Sequence, residues 1–262
     1  MDPLLGGKTA IIYGAGGSIG AAVAATFARE GATVVLAGRT LDSLDAVAKQ
    51  ITADGGQARV SVLDALDEQA VDAHAAAVLA STGRIDISFN LTSRGDVQNV
   101  PLVQLSPDDL LRATTQGLRS QFLTARAAAR AMTAAGSGVI LHLNSASGDG
   151  SAPGMGSTGP ADAAIESFMR YLAAETGPQG VRVCGIWTAG VAETLTRAKL
   201  DAVGGANTPD PEVVIQMIAG MAALRRVPRL ADVAEVAAFL ASDRAAGITG
   251  TMTNVTDGLV LR

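Results

Sequence analysis

The chain reads as an α/β protein built on a doubly wound parallel sheet of about seven strands. Two observations predict this. Short β-branched runs alternate with alanine-rich helical stretches along the whole chain. The repeating strand–helix order argues for a parallel sheet covered on both faces. No low-complexity linker or internal repeat interrupts the alternation. With 262 residues, 48% of them hydrophobic, there is apolar surface for one large core, so a single domain over 1–262 is expected.

The elements follow in order. Thr9 to Tyr13 is a buried-strand run, and Ala21 to Glu30 has helical spacing stopped by Gly31. Thr33 to Ala37 is the second strand and Leu41 to Ala53 the second helix. Ala58 to Leu63, then Glu68 to Ser81, repeat the strand–helix unit, and Ile85 to Leu91 is the fourth strand. Asp108 to Ala135 reads as one long helix, irregular near Gly117. Val139 to Leu143 and Val181 to Trp187 are strands on either side of a helix over Ala161 to Glu175. Pro211 to Ala223 and Ala231 to Ser242 are helical, and Thr251 to Val255 is the last strand. Ala189 to Thr208, partly polar and carrying Gly204-Gly205, follows a strand end. It is the expected mobile substrate loop, because ligands bind at such ends in open sheets.

Bulk chemistry removes several function classes. The net charge of −5 leaves no basic surface for nucleic acid. One cysteine, Cys184, can build neither an internal disulfide framework nor a thiolate metal centre, and it fits a reducing compartment. His74 and His142 lack ligand spacing, so no metal site is expected. The start of the chain has no basic segment leading into an apolar one, and no apolar run nears the roughly twenty residues of a membrane span. A soluble cytoplasmic protein is the expectation.

The stretch Gly14-Ala15-Gly16-Gly17-Ser18-Ile19-Gly20 joins the first strand to the first helix. Glycines there let backbone approach a pyrophosphate, and the helix start offers free N–H groups and partial positive charge. The same letters spell G-x-S-x-G, the turn that presents a nucleophilic serine, but that chemistry needs an acid and then a histidine later in the chain. The last histidine is His142, mid-chain inside a strand, so the phosphate cradle is preferred. The second strand ends Leu36-Ala37-Gly38-Arg39, with no carboxylate to hold a ribose diol and a guanidinium able to pair with an extra phosphate. That favours NADP(H) over NAD(H).

The chain resembles the short-chain dehydrogenase/reductase family from end to end. The resemblance is carried by Gly14 to Gly20, Asp64 in "VSVLDALD", "DISFN" ending at Asn90, "GVILHLNSASG" around Ser145, and "RVPRLADVAEVAAFLASDRAAGITGTMTNVTDG". It implies a Rossmann fold, a nicotinamide cofactor, a small-molecule substrate and a homo-oligomer, tetramer or dimer. It also implies that Asp64 contacts the adenine, that Asn90 lies beside the adenosine ribose, and that Val191 to Thr194 lie near the nicotinamide carboxamide.

The departures from the family pattern bear on chemistry. Ser18 stands where glycine is usual, Asn90-Leu91-Thr92-Ser93 replaces Asn-Asn-Ala-Gly, and Thr188-Ala189 replaces Pro-Gly. The family's catalytic serine matches Ser145, but its Tyr-x-x-x-Lys pair falls on Thr158 and Asp162 and its supporting asparagine on Gly117. A phenol, with a pKa of about 10, becomes a useful acid beside a lysine cation. A threonine hydroxyl is far weaker, and Asp162 brings the opposite charge. The usual proton relay is therefore not expected, although hydride transfer itself needs only cofactor and substrate held in line.

Other residues compete for the missing roles. Alternation turns the His142 side chain to the face opposite Ser145, where packing is the better reading. Asp149 in Gly148-Asp149-Gly150 reads first as a turn residue and second as an acid or base. Tyr13 and Met155 read as packing, and Trp187 as core or pocket wall. The resulting expectation is an oxidoreductase with an altered relay, acting on a small or medium carbonyl, alcohol or enone. The alternatives are a lyase, cyclase or isomerase on the same scaffold, or a non-catalytic dinucleotide-binding scaffold protein.

Overall fold

Strands that are apolar on both faces fold stably only as the middle of three layers, and the computed structural model, which describes residues 3–148, 152–205 and 208–261, has that form. β1 (Thr9–Tyr13), β2 (Thr33–Gly38), β3 (Gln57–Val62), β4 (Ile87–Asn90), β5 (Gly138–Ser145), β6 (Val181–Thr188) and β7 (Met252–Val255) make one sheet. Their order is β3-β2-β1-β4-β5-β6-β7, and every pair is parallel.

The helices are α1 (Ser18–Arg29), α2 (Leu41–Ala53), α3 (Glu68–Thr82), α4 (Pro107–Ala135), α5 (Thr158–Thr176), α6 (Arg197–Gly204), α7 (Pro211–Met221) and α8 (Leu230–Ala241). On one face of the sheet, Ile12, Leu36, Phe89 and Leu141 pack under Val23 and Phe27 of α1 and Ala237 and Leu240 of α8. On the other, Ile11, Val35 and Ile140 pack under Val71 of α3, Leu123 and Met132 of α4, and Ile165 and Met169 of α5. Burial of a side chain of this size stabilises by roughly 1.5–3 kcal/mol, so the alternation along each strand fixes which helices lie on which face.

The chain runs outward from β1 to β3, then returns to β1's other side as β4. Tyr13 is in register with both Ala37 and Asn90, and Ser145 with Thr188. The C-terminal strand ends therefore open together at the point where the order reverses, the place where open sheets hold ligands.

Three expectations are revised. α4 passes through Gly117 without a break, capped by Ser106, whose Oγ accepts the Asp109 N–H at 3.1 Å, and closed by Gly136 at φ 73°. α5 begins at Thr158 rather than Ala161, because Pro160 lies in the first turn, where a missing N–H costs no helical hydrogen bond. The stretch 189–208 carries α6, capped by Thr196 through its Oγ, so it is not wholly loop. No described helix is long and apolar enough to cross a membrane.

Candidate active site

The glycine turn is shaped by what surrounds it. Gly14 has φ 77°, and a Cβ there would come within 2.7 Å of the Leu91 carbonyl carbon. A Cβ on Gly16 would strike the Ser43 side chain, and one on Gly20 would strike the Gly14 carbonyl oxygen. Gly17, extended at φ −85°, is the N-cap of α1 and offers no side chain to its free N–H groups. Ser18 opens the helix with an exposed side chain, while Ile19 packs against the core. The first-turn amides of α1 are thus left facing the crevice. Among the described residues Ser18 has no histidine partner: His74 is turned against Tyr13 with ring centroids 5.8 Å apart, and His142 lies beneath α5. The serine-elbow reading is set aside.

Around the cradle, Arg39 is exposed just beyond β2 and takes part in no ion pair among the described residues. Asp64 is exposed, and one of its oxygens accepts the Leu66 N–H at 2.9 Å. Asn90 is buried and its amide is fully engaged: Nδ2 donates to Thr124 Oγ1 at 3.3 Å, and Oδ1 accepts from the Thr92 N–H and hydroxyl at 3.0 and 2.8 Å. Its side chain braces β4 against α4, and its carbonyl accepts Gln121 Nε2 at 3.3 Å. Val191 is buried after β6, and Thr194 donates its hydroxyl to the Val191 carbonyl at 2.8 Å.

At the other end of the crevice, Ser145 closes β5. Its Oγ lies 2.5 Å from Asp162 Oδ2 and 2.7 Å from Ser147 Oγ. Asp162, one turn into α5, is fully buried, and its other oxygen receives Arg94 Nη2 at 2.5 Å. Arg94 is also held by Asp96, from Nε to Oδ1 at 2.9 Å. Burial pushes the Asp162 carboxyl up to about 6, and Arg94 offsets that only in part. Burial alone would lower the Arg94 pKa, but Asp162 and Asp96 more than compensate and keep it a cation. Thr158 is buried and accepts Gln98 Nε2 at 3.0 Å. The fold thus brings Ser145 and Asp162 into direct contact and places Thr158 beside the same loop.

Residues 94–99 form a strap that sequence reading passed over. Val97 N–H donates to Ser157 Oγ at 3.0 Å, Ser157 N–H to the Val97 carbonyl at 3.1 Å, Asn99 N–H to Gly154 at 2.8 Å and Gln98 N–H to Val203 at 2.7 Å. Arg94 directly follows the altered Asn90-Leu91-Thr92-Ser93 motif. The signal that pointed to it is the carboxylate at position 162, since a buried charge implies a nearby partner.

The remaining candidates lie behind this site. His142 is buried, its side-chain nitrogens have no hydrogen-bond partner among the described residues, and burial holds its pKa down at about 4, so it is neutral. Trp187 donates its indole N–H to Glu166 Oε1 at 2.8 Å under α5. Burial raises the Tyr13 pKa well above the ordinary phenol value, with Asp72 adding to it. Asp149 lies outside the described residues. Among the described residues no group of three or more His, Cys, Asp or Glu is arranged to hold a metal ion.

A crossover crevice with a glycine cradle at one end and a serine-bearing strand end at the other defines a class. The chain belongs to the short-chain dehydrogenase/reductase family of oxidoreductases, and a family model described as enoyl-(acyl carrier protein) reductase matches residues 14–260. It is 32% identical over 256 residues to the 7α-hydroxysteroid dehydrogenase of Escherichia coli K12, covering 97% of this chain and 94% of that protein. The solved structure of that enzyme activity complexed with NADH and 7-oxo glycochenodeoxycholic acid matches with a TM-score of 0.84 at 30% identity, over 98% of this chain and 96% of its own. NAD+-bound xylitol dehydrogenase matches with a TM-score of 0.86 at 26% identity, over 96% of this chain and 98% of its own. These relatives bind nicotinamide dinucleotides.

Proposed function

We propose that this chain is a single-domain NADP(H)-binding oxidoreductase that interconverts a small or medium alcohol and carbonyl, or reduces an enone, with a proton relay different from its family's. The observation that carries the reading is the cradle: Gly14, Gly16 and Gly20 lie where added Cβ atoms would collide, beside the open first turn of α1. Such a surface fits a diphosphate. Gly14, Gly16, Gly17, Ser18, Ile19 and Gly20 would hold it, Arg39 would take the 2′-phosphate, and Asp64 and Asn90 would flank the adenosine. Val191 and Thr194 would lie by the nicotinamide. When bound, the dinucleotide supplies or accepts the hydride. The chain's own part is to hold the substrate oxygen at Ser145 and to move its proton through Asp162, with Thr158 lining the same corner.

The Ser145–Asp162 contact also supports a second reading, proton transfer without redox, as in an isomerase or lyase. Conversion of substrate without any change in nicotinamide absorbance would select it. A homo-oligomer fits the face made by α4 and α5. There Phe122 is 43% exposed and Tyr171 71% exposed, and Phe122 meets Phe168 edge-on at 5.8 Å.

Thermal denaturation with NADPH and with NADH tests the cofactor assignment. A ligand at about one hundred times its Kd adds about 2.7 kcal/mol. For a chain of this size that raises Tm by about 5 °C or more. The reading expects this from NADPH and a smaller rise from NADH; no rise with either would overturn it.

A further inference from the structure

We propose that Arg94 stands in for the family's lysine from a different element, so that Arg94, Asp162 and Ser145 form a proton relay of reversed polarity. Ser145 is the group that touches the substrate oxygen, Asp162 is the base behind it, and Arg94 is the positioning residue. The inference rests on the oxidoreductase reading above and gives that site a direction and a substrate charge.

Two departures from the family pattern become one coupled change. Where the family has a supporting asparagine, Gly117 leaves the space that the arginine stem fills: a Cβ at Gly117 would lie 2.7 Å from Arg94 Cδ. Where the family has lysine, Asp162 receives the guanidinium at 2.5 Å. An aspartate is too short to do a lysine's work, so the cation arrives instead from the strap after β4. Asp162 then uses its second oxygen on Ser145, at 2.5 Å. A pair that served packing alone would have no reason to direct that oxygen at the one family catalytic group the chain retains.

The polarity follows from the chemistry. A carboxylate takes protons, so the relay suits alcohol oxidation. The substrate hydroxyl proton passes to Ser145 Oγ as Ser145's own proton passes to Asp162 Oδ2. The carbinol carbon gives its hydride to an oxidised nicotinamide dinucleotide, leaving a carbonyl. Asp162 later releases the proton to water. The groups facing Asp162 are Arg94 and Asp96 from the strap, Ser145 and Ser147 from the end of β5, and Glu166 on its own helix. Glu166 is itself 4.0 Å from Arg170, and on α4 Gly117 lies against the Arg94 stem. Two cations, Arg94 and Arg170, among three carboxylates leave a net negative charge when Asp162 is ionised, so the site selects neutral hydroxyl substrates over carboxylates.

The test is a carbon-13 NMR titration of the full chain labelled at aspartate carboxyls, with the Asp162 signal assigned by Asp162→Asn. Wild type, Arg94→Met, Arg94→Lys and Gly117→Asn are compared. The relay expects Arg94→Met to raise the Asp162 pKa by about one unit or more, since a lost neighbouring cation is worth that much. Arg94→Lys should stay within about half a unit of wild type. Gly117→Asn, which displaces the arginine without deleting it, should shift the pKa in the same direction as Arg94→Met and keeps the question answerable if Arg94→Met does not fold. In turnover, kcat should fall by about 10- to 100-fold in Arg94→Met with KM little changed, and recover in Arg94→Lys. An Asp162 pKa that ignores both Arg94→Met and Gly117→Asn overturns the inference. NADPH-induced thermal shifts on the same proteins separate the two claims: loss of the shift in wild type sinks the dinucleotide reading, whereas an intact shift with an unmoved pKa sinks the relay alone.

Discussion

The two ends of the crevice have diverged to different degrees. At the end of β1 the glycine turn keeps its family form, with Ser18 as a substitution that adds only an exposed hydroxyl. At the end of β5 a buried carboxylate, Asp162, meets a guanidinium, Arg94, that comes from another element, and under the proposed reading this pair takes the place of the family's cation. The difference has a physical origin. The cradle is made of backbone, and its glycines are fixed by collisions with Leu91, Ser43 and the Gly14 carbonyl, so few substitutions survive there. The proton-handling end is made of side chains, whose charges can be exchanged so long as each buried one keeps a partner.

The sharpest way to break that contrast is at the two ends themselves. Gly14→Val should be the most damaging change, because it puts a β-branched residue at φ 77° and a side chain against Leu91. The strain alone costs about 1–3 kcal/mol, so the measured Tm should fall and the NADPH-induced shift should vanish. Asp162→Asn should leave NADPH binding intact while lowering kcat by about 10²- to 10⁴-fold, the span of general-base loss. Equal loss of binding in both variants would mean that the ends are not independent.

The pH dependence sharpens the comparison further. Asp162 titrates at about 6 when folded against 3.8 ordinarily, so the folded chain holds this proton more tightly than the unfolded one. Its contribution to stability is therefore full below the ordinary value and is lost as pH rises through about 6, after which it is constant. The loss is on the order of 3 kcal/mol, since each unit is worth about 1.4 kcal/mol. Urea denaturation of wild type and Asp162→Asn from pH 4 to pH 8 should show their difference changing over that window and flat above it. Oxidation of an alcohol substrate should rise through the same window as the base ionises. The smallest effect is expected from Arg39→Ala, which should weaken NADPH by about 10-fold relative to NADH, the loss of one charge-assisted contact, with Tm almost unchanged at this exposed position.

The sequence carried most of the scaffold, because strand burial and helix periodicity are local signals. The runs from Thr9, Thr33 and Val181 became strands within a residue or so. The start of α5 was less legible: the helical spacing begins at Ala161, yet Gly159 and Pro160 lie inside the first turn. Ser145 and Asp162, seventeen positions apart, could be matched to family positions, and the fold brings them to 2.5 Å. Arg94 could not be found that way. It occupies no family catalytic position, and its contact with Asp162, 68 positions away, depends on how the strap closes over the start of α5.

Calorimetric titration of the full chain with NADPH, repeated on Asp162→Asn, tests most directly whether a preserved cradle serves a rebuilt proton site. The account predicts one site per chain with micromolar affinity, the same within about threefold in the two proteins and lost in Gly14→Val. No heat of association for wild type at millimolar NADPH, with none for NADH, would contradict it.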